Sequence, residues 1–149
     1  MKILLWLWQL PQNLIGFIYS RFAKSKDIFY FKKGKAVVFY APCFDAGVAL
    51  GQYIILDKTY KKISRGLLTT VKHEYGHTIQ SKYLGWFYLL LVGIPSLCRN
   101  IMSRINPTKY NSEWYYSGFP EKQADKLGGV EREVGKNLMK KCQKKKNGF

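Results

Sequence analysis

Acidic residues are scarce in this 149-residue chain, where nine Asp and Glu stand against 25 Lys and Arg and leave a formal charge of +16. Such an excess favours polyanions as neighbours, whether anionic lipid headgroups, nucleic acid or acidic protein surfaces, and says nothing about chemistry. Cysteine is nearly absent too. Cys43, Cys98 and Cys142 are odd in number, far apart and in no metal-ligand spacing, which excludes a disulfide framework and predicts free thiols in a reducing, cytoplasmic compartment. With 13 Gly and 5 Pro the chain is neither collagen-like nor of low complexity. No uninterrupted run approaches the roughly 20 apolar residues of a spanning helix. No internal repeat and no linker divides the sequence. Helix-turn-helix, RNP and zinc-finger patterns are all missing, so no specific nucleic-acid partner is expected. Histidine is the scarcest of the catalytic residue types, with only His73 and His77.

What is present is apolar and aromatic. The hydrophobic fraction is 47% and the aromatic fraction 16%, enough for a packed core in a chain of this length. The reading along the chain is α+β: a mostly helical single domain, 1–149, with a small β-sheet beside its best helix. Residues 1–22 form an apolar N-terminal segment, helical in two pieces broken near Pro11. Its single Lys2 and the run Ile3–Trp8 resemble a signal peptide, but no small-x-small cleavage pattern follows. Arg21–Lys35 is a basic stretch around the aromatic Ile28–Phe31. Ala36–Tyr40 and Gly51–Leu56 are β-prone. Gly66–Leu84 has apolar residues at Leu67, Leu68, Val71, Tyr75 and Ile79, with Gly85 as its stop. Trp86–Ile105 is a second helical stretch interrupted around Gly93 and Pro95, Asn106–Ser117 an aromatic-rich loop, and Glu121–Leu127 a helix with Pro120 at its first turn. Residues 136–149 are a basic tail. Two apolar runs, 1–20 and 86–97, admit two readings: buried core, or interfacial contact with an anionic membrane, for which Trp6 and Trp8 are suited.

The chemistry is concentrated in Val71-Lys72-His73-Glu74-Tyr75-Gly76-His77, an H-E-x-x-H motif on the best helix. Residues four apart lie one turn away on the same face, so His73 and His77 can point two imidazole nitrogens at one ion. Glu74, one residue round, stands beside the ion, where it can take a proton from a metal-bound water. The bland alternative is two surface or capping histidines, and it is weakened because the chain's only two histidines are both in the motif.

Catalytic zinc takes three protein ligands and keeps one position open. Without a third histidine, the remaining ligand is a carboxylate or a cysteine. Asp27, Asp45 and Asp57 lie in basic or turn-like contexts, Glu131 and Glu133 in a highly charged segment, and Glu113 in the aromatic loop. Glu121 and Asp125 remain, four apart on a second helix. Glu121 is the expected ligand. Asp125 is the expected acceptor for the N–H of a ligating histidine, fixing its tautomer and raising its basicity. Their alternative role is to complement a helix dipole.

His73-Glu74-x-x-His77 with Glu121-x-x-Ala124-Asp125 resembles the gluzincin class of zinc metallopeptidases. The stretch from His73 to Ser81, with Leu84-Gly85, Tyr88-Leu89 and Gly93-Ile94-Pro95-Ser96-Leu97, is similar to small bacterial metalloprotease-like proteins, some of which look like terminal domains of larger toxins. The resemblance spans about residues 47–129 and implies zinc as cofactor and the ligand roles above, but no particular substrate; the leading reading is a zinc-dependent hydrolase of peptide bonds acting on a peptide or protein substrate. The ligand set itself also suits iron, manganese or cobalt. An exposed edge at Gly51–Leu56 would pair with an extended peptide, unless it is an ordinary core strand. Gly76, costly inside a helix, implies close approach by substrate or by another helix. An oxyanion stabiliser must be a tyrosine or a cation, and Tyr110, Tyr115 and Tyr116 are the candidates ahead of Glu121. Two other classes stay open: a catalytically silent metal-binding interaction module, and a cationic membrane- or nucleic-acid-binding protein.

Overall fold

The computed structural model describes residues 2–31, 34–42, 47–61 and 66–132, and shows an α+β chain in which a four-stranded sheet is flanked by helices. The N-terminal segment forms α1 (Lys2–Trp8) and α2 (Leu10–Ser20), parted at Gln9 just ahead of Pro11. Pro11 occupies the first turn of α2, where its missing N–H leaves no helical bond unmade. The strands are β1 (Ser25–Phe31), β2 (Gly34–Ala41), β3 (Gly47–Leu50) and β4 (Tyr53–Asp57). They lie in the order β1-β2-β4-β3, with β2 and β4 parallel and the outer pairs antiparallel.

Three expectations change here. The basic stretch Arg21–Lys35 contains a strand, because Ser25–Phe31 alternates half-buried and exposed side chains against β2. The β-prone stretch starting at Gly51 is a hairpin turn followed by a strand: Gly51 and Gln52 join β3 to β4. The edge foreseen at Gly51–Leu56 is not an edge, since β4 is paired on both sides by β2 and β3.

Alternation along β4 sets the layers. Ile54 and Leu56 face α3 (Leu67–Leu84), packing with Val38, Tyr40, Val71 and Tyr75, while Ile55 faces the other way among Tyr19, Phe39, Val48 and Leu50. Leu68, placed on the apolar face by periodicity, is instead exposed, whereas Thr78, Gln80 and Ser81 are buried. Helix α3 ends at Gly85, whose φ of +53° suits glycine and whose Cα lies against the Trp8 ring.

Beyond it the chain runs through a 3₁₀ turn (Gly85–Phe87) and a π-helical turn (Leu89–Gly93) into α4 (Ile94–Ile105). Pro95 explains the wide turn, because its ring would clash with the carbonyl four residues back and it has no N–H to give. The aromatic stretch expected as loop contains a short helix, α5 (Ser112–Ser117), capped by the Asn111 side chain accepting from Trp114 N–H at 2.9 Å. The final described helix is α6 (Glu121–Gly128), after Pro120 as foreseen.

Helices α3 and α6 cross closely because glycines occupy the contact. A Cβ on Gly76 would collide with the Ala124 carbonyl, and one on Gly128 with the Lys72 carbonyl. Of the two readings of Gly76, helix packing is the one observed. The basic tail 136–149, Asp45, Glu133, Cys43 and Cys142 fall outside the described residues. No described helix is long and apolar enough to cross a membrane.

Candidate metal centre

The close α3–α6 crossing delivers the chemistry. Helical spacing turns His73 and His77 to the same side, and their rings lie 4.8 Å apart at an interplanar angle of 88°. Glu121 enters from the first turn of α6. Its Oε2 lies 2.9 Å from His73 Nε2 and 3.2 Å from His77 Nε2. Zinc bonds of about 2.0–2.1 Å at tetrahedral angles set ligand atoms roughly 3.3 Å apart, so these spacings suit a small cation. Among the described residues, His73, His77 and Glu121 form the group able to hold a metal, all its ligand atoms falling within 4.8 Å of one another. Glu121 Oε1 is fully buried without a hydrogen-bond partner, a state that a cation would relieve. Cys98, the one described cysteine, is exposed on α4 and takes no part.

Each imidazole is oriented from behind. His73 Nδ1–H donates to Asp125 Oδ1 at 2.7 Å, and His77 Nδ1–H to Gln80 Oε1 at 2.7 Å. Both Nε2 atoms are thereby committed to the Glu121 side. Gln80 is anchored in turn through its amide N–H groups, to the Pro120 carbonyl at 3.1 Å and Gln123 Oε1 at 2.8 Å. Arg132 grips Asp125 through two bonds, Nε to Oδ2 at 2.6 Å and Nη2 to Oδ1 at 3.0 Å, and lies over the Tyr116 ring.

The protonation states follow from this crowding. Burial pulls the His73 imidazole down, but its hydrogen bonds to Asp125 and Glu121 and the charge of Glu74 outweigh it, and the pKa is pushed up to about 9. Burial pushes the Glu121 carboxyl up, and the bonds from His73 and His77 overcome it, holding the group well below the usual carboxylate range. In the metal-free protein a proton on His73 therefore sits where a cation would. Glu74 goes the other way: burial raises its carboxyl, and the neighbouring imidazoles offset only part of that rise.

The structure brings together His73, Glu74, His77, Glu121 and Asp125. It separates the tyrosines. Tyr116 meets the His73 ring edge-on at 5.3 Å, and Tyr115 packs against Tyr116 with its phenol pushed up by burial and by Glu121. Tyr110 does not join them; its ring lies on Trp114 under the Lys109 ammonium. Four contributors were given no role in the sequence reading. Gln80 stands three residues after His77, a helical spacing that could have marked it. Gly47, at the start of β3, leaves room for Glu74, since a Cβ there would lie 2.8 Å from Oε1. Tyr88 is buried and donates its hydroxyl to the Ala49 carbonyl of β3 at 3.0 Å. Arg132 carried no local signal. Comparison with protein-family models, curated proteins and solved structures finds no match to this chain.

Proposed function

We propose that the chain is a zinc-dependent hydrolase of peptide bonds, with the metal held by His73, His77 and Glu121. One observation carries the reading: both Nε2 atoms converge on Glu121 Oε2 while Asp125 and Gln80 occupy the Nδ1 atoms behind them. When bound, a divalent cation supplies Lewis-acid chemistry, polarising a carbonyl and acidifying a water.

The remaining work belongs to the side chains. Glu74 accepts the proton of the attacking water and passes it to the departing amine, and a carboxyl raised by burial exchanges that proton at less cost. Asp125 holds the His73 tautomer and supports its basicity. Of the three tyrosines expected from the sequence, Tyr116, edge-on to His73, and Tyr115, packed on Tyr116, are the candidates to stabilise the oxyanion. A peptide substrate is supported by the resemblance to gluzincins and by β3, an edge strand whose Gly47 lies against Glu74.

A catalytically silent metal-binding module is the second reading, and the burial of His73, Glu74, His77 and Glu121 favours it. Metal analysis of the purified chain, paired with hydrolysis of an unstructured polypeptide, separates the two. Stoichiometric zinc and turnover that Glu74→Gln abolishes without loss of metal are the expected results. Zinc without turnover supports the silent module. Loss of zinc in Glu74→Gln would make Glu74 a ligand and overturn its role.

A further inference from the structure

The N-terminal helices are built inside out. Gln9, Gln12 and Asn13 are 0% exposed, while Leu14, Ile15, Phe17 and Ile18 on the opposite side of α2 are about half exposed. The buried amides are tied to the neighbouring elements, with Gln12 Oε1 alone among their oxygens buried without a hydrogen-bond partner. Gln12 Nε2–H donates to Ser81 Oγ at 3.0 Å and to the Gly85 carbonyl at 2.8 Å, Ser81 Oγ–H donates to Gln9 Oε1 at 2.8 Å, and Asn13 Oδ1 accepts from Gln52 N–H at 2.8 Å. In water the opposite arrangement is favoured, because each apolar side chain left exposed forgoes its transfer free energy.

A second apolar surface adjoins the first. Phe87, Leu90 and Leu97 are 59–62% exposed, and Ile105 77%. Ile94, Leu97, Ile101 and Ile105 recur at helical spacing on α4, a helix with no buried residue. The two surfaces are stitched together by tryptophans: Trp8 Nε1–H donates to the Lys82 carbonyl at 3.0 Å, and Trp86 Nε1–H to the Leu7 carbonyl at 3.1 Å. Among the described residues nothing covers them.

Charge is segregated to match. Neither 1–26 nor 75–112 contains an Asp or Glu. Within those segments Arg21, Lys24, Lys26, Lys82, Arg104 and Lys109 are exposed cations. An apolar face with indole rings, carried by segments whose only charged side chains are cations, is complementary to an anionic lipid leaflet. A protein partner would need an equally apolar patch bordered by carboxylates, and a second copy of this chain would place cation against cation.

We infer that α1, α2 and the stretch from Trp86 through α4 form one lipid-docking surface that seats the protein in the outer layer of an anionic bilayer without crossing it. The helices are too short to span: 11 residues in α2 and 12 in α4 rise about 16–18 Å, against a hydrocarbon core of roughly 30 Å. This inference rests on none of the metal chemistry.

Flotation of the full chain with vesicles of phosphatidylcholine mixed with phosphatidylglycerol tests it, alongside phosphatidylcholine alone. Wild type is expected to float with the mixed vesicles and more weakly with the neutral ones. Brominated acyl chains should quench its tryptophan emission, a readout that needs no variant. Ile18→Glu and Leu90→Glu should each lower partitioning by roughly tenfold or more. Tyr30→Glu carries the same charge change at a 78% exposed residue of β1 and should stay within a few-fold of wild type. Folded wild-type protein that neither floats nor is quenched overturns the inference. So does equal loss from Tyr30→Glu and Ile18→Glu, which would mean bare charge attraction. A discrete dimer dissolved by Ile18→Glu, with no vesicle binding, would assign the surface to a second copy.

Discussion

The α3–α6 crossing and the α1–α2 layer both bury polar groups, yet for opposite reasons. At the crossing, titratable side chains sit inside because they neutralise one another: His73 lies between Asp125 and Glu121, and the hydrogen bonds of the pair outweigh its desolvation. In α1–α2 the buried groups are neutral amides, held by backbone and hydroxyl partners at the end of α3. There the polar residues occupy the inside because the outside is given to Leu14, Phe17 and Ile18. Under the two proposals made above, one region answers to a cation, and the other to the medium that meets its outer face.

The largest expected effect attacks the first region. Glu121→Ala empties a ligand position and should abolish tight zinc binding. Asp125→Ala should weaken it by roughly 10–100-fold, Asp125→Asn by less, and Gln80→Ala toward the lower end of that range. Zinc titration against a competing chelator ranks all four. Any order that does not begin with Glu121→Ala would put the wrong carboxylate on the metal, and untouched affinity throughout would return Glu121 and Asp125 to the helix dipole.

Next in size is the crossing itself. Gly76→Ala drives a methyl into the Ala124 carbonyl, for a loss of about 1–3 kcal/mol in urea unfolding of the metal-free protein. An unchanged midpoint would mean that α6 can move away, and the site would then be less pre-formed than its geometry suggests.

A pH dependence follows from His73. Its folded pKa, about 9, lies above the ordinary imidazole value, so its contribution to metal-free stability is fully present below about pH 6.5. That contribution is lost as pH rises through about 9. Zinc must displace the same proton, so binding at neutral pH should release it, as read by calorimetry in buffers of different ionisation enthalpy. Above pH 9 the release should fade. Release that is absent at neutral pH would mean His73 is already neutral there.

The smallest effect is a contrast. Leu68 is on α3 but exposed, and Leu68→Ser should change stability by no more than about 0.5 kcal/mol, with zinc affinity intact. A large loss would show that the apolar periodicity of α3 matters more than its observed burial.

Much of the candidate site was legible because its first half is local. Four-residue spacing on a helix places His73 and His77 on one side whatever the rest of the chain does, and Glu74 follows one residue round. The second half was reached through scarcity: with nine acids and no third histidine, few carboxylates could be partnered with the pair. The sheet was less legible. β1 is basic and β3 only four residues long, so neither carries enough period-2 pattern to stand out, and β4 lost its expected free edge once β3 paired with it. Tyr110 was indistinguishable by composition from Tyr115 and Tyr116, and only the placement of α5 removed it.

By itself the sequence determined which residues share a face, because helical and strand periods are properties of the local backbone. It settled that two imidazoles lie together, that Gln12 and Asn13 lie away from Ile18 on one helix, and that no carboxylate falls within 1–26 or 75–112. Which face points inward was decided only by the tertiary structure. An amphipathic period is the same whichever side meets the protein, and that choice depends on partners far along the chain. Ser81 and Gly85 drew the amides of α1–α2 inward, and the glycine-lined approach of α6 set Glu121 against the histidines.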